Sequence, residues 1–515
     1  MAQDEKTIIR SLLDPKIKID RLEIEDLYTG TSTSLPNKPG TPTGHQYQHE
    51  LGTDYPFIVI NDYVFDRGEI LFLKIDATGF LPQLTFIFSL WKTDIFRSQA
   101  YPKDGDIVSI FIRAKNDTFK PIRNDYIIKN VDTGRGGVEN SGGNTVITAE
   151  LFIPHMKDEL IKSHKGTSFE VLKQIAQELE LGFATNETST SDSQVWLNSG
   201  GNWQSYIEHI TGASWKDEKS FFKCFIDVYY HLNFINVNNQ LEGDGQLAAG
   251  ILDTIGIKDF YSNDVDNAKL GQETVGKFVS NMENFKGTNM FVQQYQTRNE
   301  SSRINEVHGY KYNVQFFDQK SLKYWNLFVD PITSEGSEDK KMILKGRTLP
   351  KKTDEASKSG KGPSEQDFWR SQNKYVWKGI QSKNVHDKYI FAIAHNERNL
   401  LELRKLYLEV DVSRWNPNIY NGEKVPILLI SQADVSKASA DAQGLDRDVV
   451  EHSSGAPAVL DQFYSGFYMI NGMCITYNQD RSQYSTKHPN ENDGLDPAFF
   501  QTFTMTRREW PTPIG

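Results

Sequence analysis

The chain has 515 residues, too many for one hydrophobic core, and three or four domains are expected. A hydrophobic fraction of 38%, with 30 Phe, 22 Tyr and 9 Trp, supports buried cores and excludes a globally disordered chain. The net charge of −11 argues against a protein that grips phosphate backbones with clustered Lys and Arg; it fits plain solubility, or an acidic lumen that repels passing DNA.

Residues 1–56 form an arm or long loop, rich in Pro, Gly, Ser and Thr from Tyr28 to Pro42, with a short helix or strand near Thr7–Leu13. The first residues, MAQDEKTIIRSLLD, carry acids and no long apolar core, which is not the pattern of a secretory signal. No run approaches the roughly 18 apolar residues of a membrane span. A soluble protein made without export is expected.

Residues 57–154 read as a β-barrel. Leu84, Phe86 and Phe88 alternate with Thr85, Ile87 and Ser89; Val108, Ile110 and Ile112 with Ile107, Ser109 and Phe111; Ile147, Ala149 and Leu151 with Val146, Thr148 and Glu150. Period-two alternation sends successive side chains to opposite faces of a strand. The second face is not purely polar. Ile87, Trp91, Ile107, Phe111 and Phe152 would be wet on an isolated chain, so another domain or subunit is expected to cover them. Lys103-Asp104-Gly105-Asp106 is a hairpin turn. The glycine-rich stretch 134–143 is a loop; it lacks the lysine and following helix of a phosphate cradle.

Residues 155–239 form a helical and mixed middle domain. Thr167 and Glu170 make a capping box, Phe169, Leu172, Ile175, Ala176 and Leu179 share one helical face, and Gly182 ends the helix. Trp203, Tyr206, Ile207 and Ile210 repeat that spacing, as do Phe221, Phe222, Phe225, Val228, Tyr229 and Leu232, before a strand over Asn233–Asn238. Residues 240–384 are mixed, with strands near Met290–Gln296, Tyr310–Asp318 and Tyr324–Val329 and a charged linker at 350–366. Residues 385–515 hold a helix, Tyr389–Arg404, and a second barrel: Leu406–Val412, the Asn421-Gly422 turn, Val425–Ile430, Phe467–Tyr477 and Phe500–Arg507, with inserted loops at 432–462 and 479–497. The fold class is therefore α+β and multidomain, two tube-like antiparallel β-barrels flanking a mixed α/β middle region.

Chemistry is sparse. Cys224 and Cys474 lie in apolar runs and read as buried free thiols, which excludes a disulfide scaffold and implies a reducing compartment during folding. His45 and His49 have metal-pair spacing but no apolar helical face beside them, and the acids around Asp264 and Asp266 lack the glycine and closing Glu of a calcium loop. No GxSxG, HExxH or GxxxxGK[ST] occurs. Neither enzymatic activity nor a cofactor nor a metal is expected. Paired carboxylates for sugar cleavage are not visible in a sequence, so a peptidoglycan hydrolase stays open as a rival.

Three segments carry a family resemblance. The Tyr420-Asn421-Gly422 turn before VPILLI, Ser465–Ile470 and the closing FFQTFTMTRREW resemble the C-terminal barrel of phage baseplate hub proteins. That family joins contractile-tail hubs, late-control proteins and the N-terminal part of the type VI secretion spike. The run Asn202–Asn238 is similar to the hub's middle domain, and 57–153, with KDGDIVSIFI, looks like its first barrel. The resemblance implies a homotrimer in the virion tail baseplate, assembled in the host cytoplasm. Two barrels per subunit would build a pseudo-sixfold ring between a tail tube protein and a central spike protein, beside other baseplate subunits. DNA would pass through without sequence-specific binding. Arg507 and Trp510 would be an interface anchor beside Ile87, Trp91, Ile107, Phe111 and Phe152. Alternatives are the hub of a phage-derived contractile injection system, or a peripheral receptor- or glycan-binding tail protein whose aromatic side chains form exposed sugar platforms.

Overall fold

A computed structural model describes residues 9–17, 56–61, 63–65, 68–89, 101–112, 122–134, 144–241, 278–279, 290–309, 311–329, 373–412, 419–431, 459–460, 464, 466–478 and 499–507. Trp91, Trp510, the His45/His49 pair, the acids near Asp264, the linker at 350–366 and nearly all of the two inserted loops lie outside the described residues.

The chain is mostly β-sheet with few helices. Ten strands carry the argument: β1 Ile70–Asp76, β2 Gln83–Ser89, β3 Ile107–Ile112, β4 Ile122–Gly134, β5 Asn144–Leu151, β6 Met290–Asn299, β7 Leu406–Val412, β8 Lys424–Leu428, β9 Gly466–Asn478 and β10 Phe499–Thr506. The expected alternation holds where it is plainest. In β2, Leu84, Phe86 and Phe88 are buried while Thr85, Ile87 and Ser89 are only partly covered.

The two strand-rich terminal regions are present as expected; among the described residues they are joined edge to edge rather than standing as two independent barrels. Strands from both terminal regions belong to one 13-stranded sheet, in which β9 of the C-terminal region pairs with β1 of the N-terminal region. The pairing order of the first region is β1-β2-β5-β4-β3, continued by Phe57–Ile60 and Tyr63–Val64. The second runs β6-β7-β10-β9-β8, with Phe278–Val279 between β6 and β8, so it curls back on itself. Among the described residues the first region does not. Alternation specifies that a strand has one buried face; it does not specify which neighbouring strand takes its edge.

Between these regions, Ile9–Leu13, Gly182–Thr185, His231–Asn236 and Phe222–Ile226 form a mixed four-stranded sheet. Helix α1, Ser168–Glu178, starts at the expected capping box: Glu170 N donates to Thr167 Oγ1 at 3.3 Å and Thr167 N to Glu170 Oε2 at 3.0 Å. Helix α2, Trp203–Ala213, buries Trp203, Tyr206, Ile207 and Ile210 as expected.

Two readings of this region are corrected. Gly182 does not end α1; Glu180 takes the left-handed turn (φ 55°) and Gly182 opens the next strand. It must be glycine there because a Cβ would lie 2.3 Å from the His231 ring. The third helical stripe, Phe221–Leu232, is a β-hairpin. The deciding residue is Asp227, whose Oδ1 accepts from Tyr229 N (2.9 Å) and His231 N (3.0 Å), reversing the chain where Tyr230 adopts φ 59°. A short apolar run fits either period until such a turn breaks it.

A third sheet, Lys311–Asp318 with Lys323–Val329 and Asn373–Gln381, packs Tyr312, Val314, Phe316 and Val329 against Ile390 and Ala394 of helix α3, Tyr389–Leu400. On α3, His395 stacks on Phe391 (ring centroids 5.5 Å apart) and meets Trp215 edge-on (5.6 Å). Burial pushes its pKa down from 6.5 to about 4. The unfolded imidazole therefore takes up a proton near pH 6.5 while the folded one stays neutral to about pH 4. Stability is expected to fall by about 3 kcal/mol as pH drops through that window. His395→Phe keeps the ring and removes the titration. It should lose distinctly less stability than wild type between pH 6.5 and 4 in side-by-side acid unfolding; equal losses would overturn the assignment.

Candidate functional site: the seam between two repeats

The N- and C-terminal regions share more than strand order. β2 and β7 each span 7 residues, β4 and β9 each 13, β5 and β10 each 8. Before β3 the chain turns at Gly105 (φ 89°), and before β8 at Gly422 (φ 86°), in the left-handed region that glycine enters without cost. Gly105 N donates to Ile128 O at 2.9 Å, and Gly422 N to Ile470 O at 2.7 Å. Ile128 N returns a bond to Asp106 O, and Ile470 N to Glu423 O, both at 2.8 Å. Each turn also ends in a carboxylate that accepts from the backbone three residues earlier: Asp106 from Lys103 N (2.9 Å), Glu423 from Tyr420 N (3.4 Å).

The irregularities coincide as well. β4 shifts register against β5 between Ile128 and Asn130, and β9 against β10 between Ile470 and Gly472. β1 shifts against β2 between Ile70 and Phe72, and β6 against β7 between Val292 and Gln294. With these bulges aligned the other ladders fall into step: Leu84 faces Ala149 as Leu408 faces Met505, and Ile107 faces Ile127 as Lys424 faces Met469. Tyr126 and Tyr468, Ile128 and Ile470, Val108 and Val425, Ile110 and Ile427 are buried at matching positions. Bulges re-aim strands and are specific features of a sheet, so a shared set marks one architecture built twice.

The repeats meet at a seam. The second half of β9 lies antiparallel to β1, with Cys474 opposite Asp76, Ile475 opposite Ile75, Thr476 opposite Lys74 and Tyr477 opposite Leu73. Ile75, Ile475, Leu73 and Tyr477 are buried. The ladder continues through Ala77 N to Met473 O (2.9 Å), and the Asn421 side-chain amide donates to the Ala77 carbonyl. Gly472 lets the backbones close; a Cβ there would sit 2.8 Å from Thr78 Cγ2.

The middle region clamps both sides. Lys223 Nζ donates to the Asn471 carbonyl (2.7 Å) and its side-chain oxygen (2.9 Å), at the bulge of β9. Burial pushes the Lys223 pKa down to about 8. On the other repeat, Asn124 Nδ2 donates to Val228 O (2.6 Å), Asp125 N to the Tyr230 hydroxyl (3.0 Å) and Ile226 N to Phe80 O (2.8 Å). Both cysteines carry free thiols and are half-buried; burial pushes each up to about 12, which disfavours the thiolate at neutral pH.

No protein-family model matches this chain, and no curated protein sequence does. Among solved structures it is similar to a tail protein from Neisseria meningitidis MC58 (TM-score 0.42, 8% identity, covering 88% of this chain and 96% of that one). It is similar to the 43 kDa tail protein of prophage MuSo2 from Shewanella oneidensis (0.42, 9%, 88% and 98%). It is also similar to the Francisella PdpA-VgrG complex in its half-lidded form (0.36, 10%, 89% and 60%).

Of the seven residues expected to form an interface, two lie outside the described residues. Ile87 and Phe152 are partly buried. The expectation of wet side chains is corrected for Ile107 and Phe111, which are buried within the single chain; Phe57 lies opposite Phe111 on the neighbouring strand, and Phe57, Val59 and Phe111 pack together. Arg507 is likewise interior, its guanidinium 5.0 Å from the centre of the Tyr468 ring. Sequence reasoning missed Lys223, Asn471 and Gly472, since only the folded chain brings them together. The paired Gly turns were the visible signal. Among the described residues no three His, Cys, Asp or Glu converge on a metal position, and no helix is long and apolar enough to cross a membrane.

Proposed function

We propose that this protein is the structural hub of a contractile-tail baseplate in a virion. Three copies form a ring of six near-equivalent repeats, tube-like units that together line a channel for DNA delivery. One side of the ring meets the sixfold tail tube and the other holds the threefold central spike. The observation that carries this reading is the repeated five-strand order with its bulges in matching register. A closed ring needs interfaces that recur by a fixed rotation, and a surface with only threefold or only sixfold symmetry cannot serve both neighbours. A trimer of a duplicated unit resolves that mismatch. The role is assembly without catalysis.

The test is native mass of the purified chain, alone and with a candidate spike protein. Three copies are expected, at least with the spike present. A stable stoichiometry incompatible with three overturns the proposal.

A further inference from the structure

The seam inside the chain joins a β9 edge to a β1 edge, and the repeat predicts a second joint of the same kind. The counterpart of β9 is β4 and the counterpart of β1 is β6. In β9 the first half pairs with β8 and the second half with β1. In β4 the first half pairs with β3 through Ile122–Ile127, but no described strand pairs along that side of the second half. Lys129, Asn130, Asp132, Thr133 and Gly134 are exposed there, with Tyr101 beside Thr133 (hydroxyls 3.1 Å apart). Along β6, only Met290 and Phe291 pair with Phe278–Val279, and beyond them Gln294, Gln296, Thr297 and Arg298 are exposed on a strand whose only other described partner is β7.

We infer that the second half of β4 in one copy pairs antiparallel with β6 of the next copy, reproducing between chains the seam that β9 and β1 make within one. Carrying the internal register across the aligned bulges places Asp132 opposite Arg298, Thr133 opposite Thr297 and Gly134 opposite Gln296. This joint deepens the ring proposed above and rests on it.

Three features favour a second copy of this chain as the occupant. The edges are the two strand types already joined at the seam. Their polarity is matched: the internal seam pairs Ile475 and Tyr477 with Ile75 and Leu73, whereas both outer edges are polar. A polar edge suits a joint made only on assembly, because long apolar edges would aggregate beforehand. Finally, the register sets a carboxylate against a guanidinium. In the single chain Asp132 accepts from Asn130 Nδ2 (2.7 Å) and Arg298 Nε lies 3.2 Å from Glu409, contacts that leave both side chains on the surface. The joint is heterologous, so its repetition closes a ring or grows a fibre.

The experiment uses the full-length chain with Thr133→Cys and Thr297→Cys combined, each single variant as a control, under mild oxidation. Opposite residues of an antiparallel pair have Cα atoms about 4.5–5.5 Å apart, within disulfide reach. The double variant should give covalent oligomers up to the full ring, and a mixture of the two single variants should give covalent pairs only. Asp132→Arg or Arg298→Asp alone should reduce the assembled fraction, and the two together should restore it. Three-copy mass with no disulfide in a folded double variant overturns the joint and leaves the ring standing. A single-chain mass throughout, with the spike present as well and with no disulfide, overturns both; a disulfide formed within one chain overturns the joint alone.

Discussion

Glu402→Ala is expected to cost about 3–5 kcal/mol. Glu402 sits in the 3-10 turn Leu401–Arg404 that leads from α3 into β7, and its side chain is fully buried. Its Oε1 accepts from Arg398 Nη1 at 2.5 Å and from Lys405 Nζ at 2.7 Å. Burial pushes the carboxyl pKa upward, but the two cations outweigh it and hold the group below its usual value. Burial pushes Lys405 down to about 8. The triad also ties in β6, because Glu300 N donates to Lys405 O at 2.7 Å just past the end of that strand. Removing the carboxylate takes away the counter-charge that these two buried cations share. Replacing the whole triad by Met, Leu and Met should be neutral or stabilising, because it removes the desolvation penalty with the charges. Hydrogen exchange of the β7 amides under increasing denaturant measures both variants. A cost below about 1 kcal/mol for Glu402→Ala would mean that water reaches the triad.

Ile75→Ala and Ile475→Ala are each expected to cost about 2–5 kcal/mol, and less in combination than their sum. The two side chains face each other across the seam, and both are buried. Either truncation leaves a cavity against a partner that cannot collapse into it, while the second shares the same space. The expected coupling is about 0.5–3 kcal/mol, as for residues in contact. A control pair in strands that are not neighbours, Ile110→Ala in β3 and Ile427→Ala in β8, occupies matching positions in the two repeats and should be additive within about 0.5 kcal/mol. Additive losses at Ile75 and Ile475 would show that the repeats are tethered by the linker alone and do not form one packed wall.

Local features of this fold were readable where one residue type settles the geometry. The Thr167/Glu170 capping box, the turns at Gly105 and Gly422, and the alternating strands β2 and β5 each depend on neighbours a few residues away. The likeness of the two terminal regions was readable for the same reason, since the turn chemistry and strand periods recur. The hairpin at Asp227 was not, because an apolar run of that length suits a helix until its long-range partner strand is known.

The amino-acid pattern by itself established two strand-rich regions around a middle domain and an acidic chain without a recognised catalytic motif. Tertiary structure alone revealed that the two regions share one sheet, that Lys223 reaches Asn471 across 248 positions, and that Phe111 and Arg507 lie inside. The physical reason is range. Capping, turns and alternation are energies of adjacent residues, whereas a strand edge is satisfied equally well by any backbone of suitable register, and which one arrives is decided by packing over the whole chain.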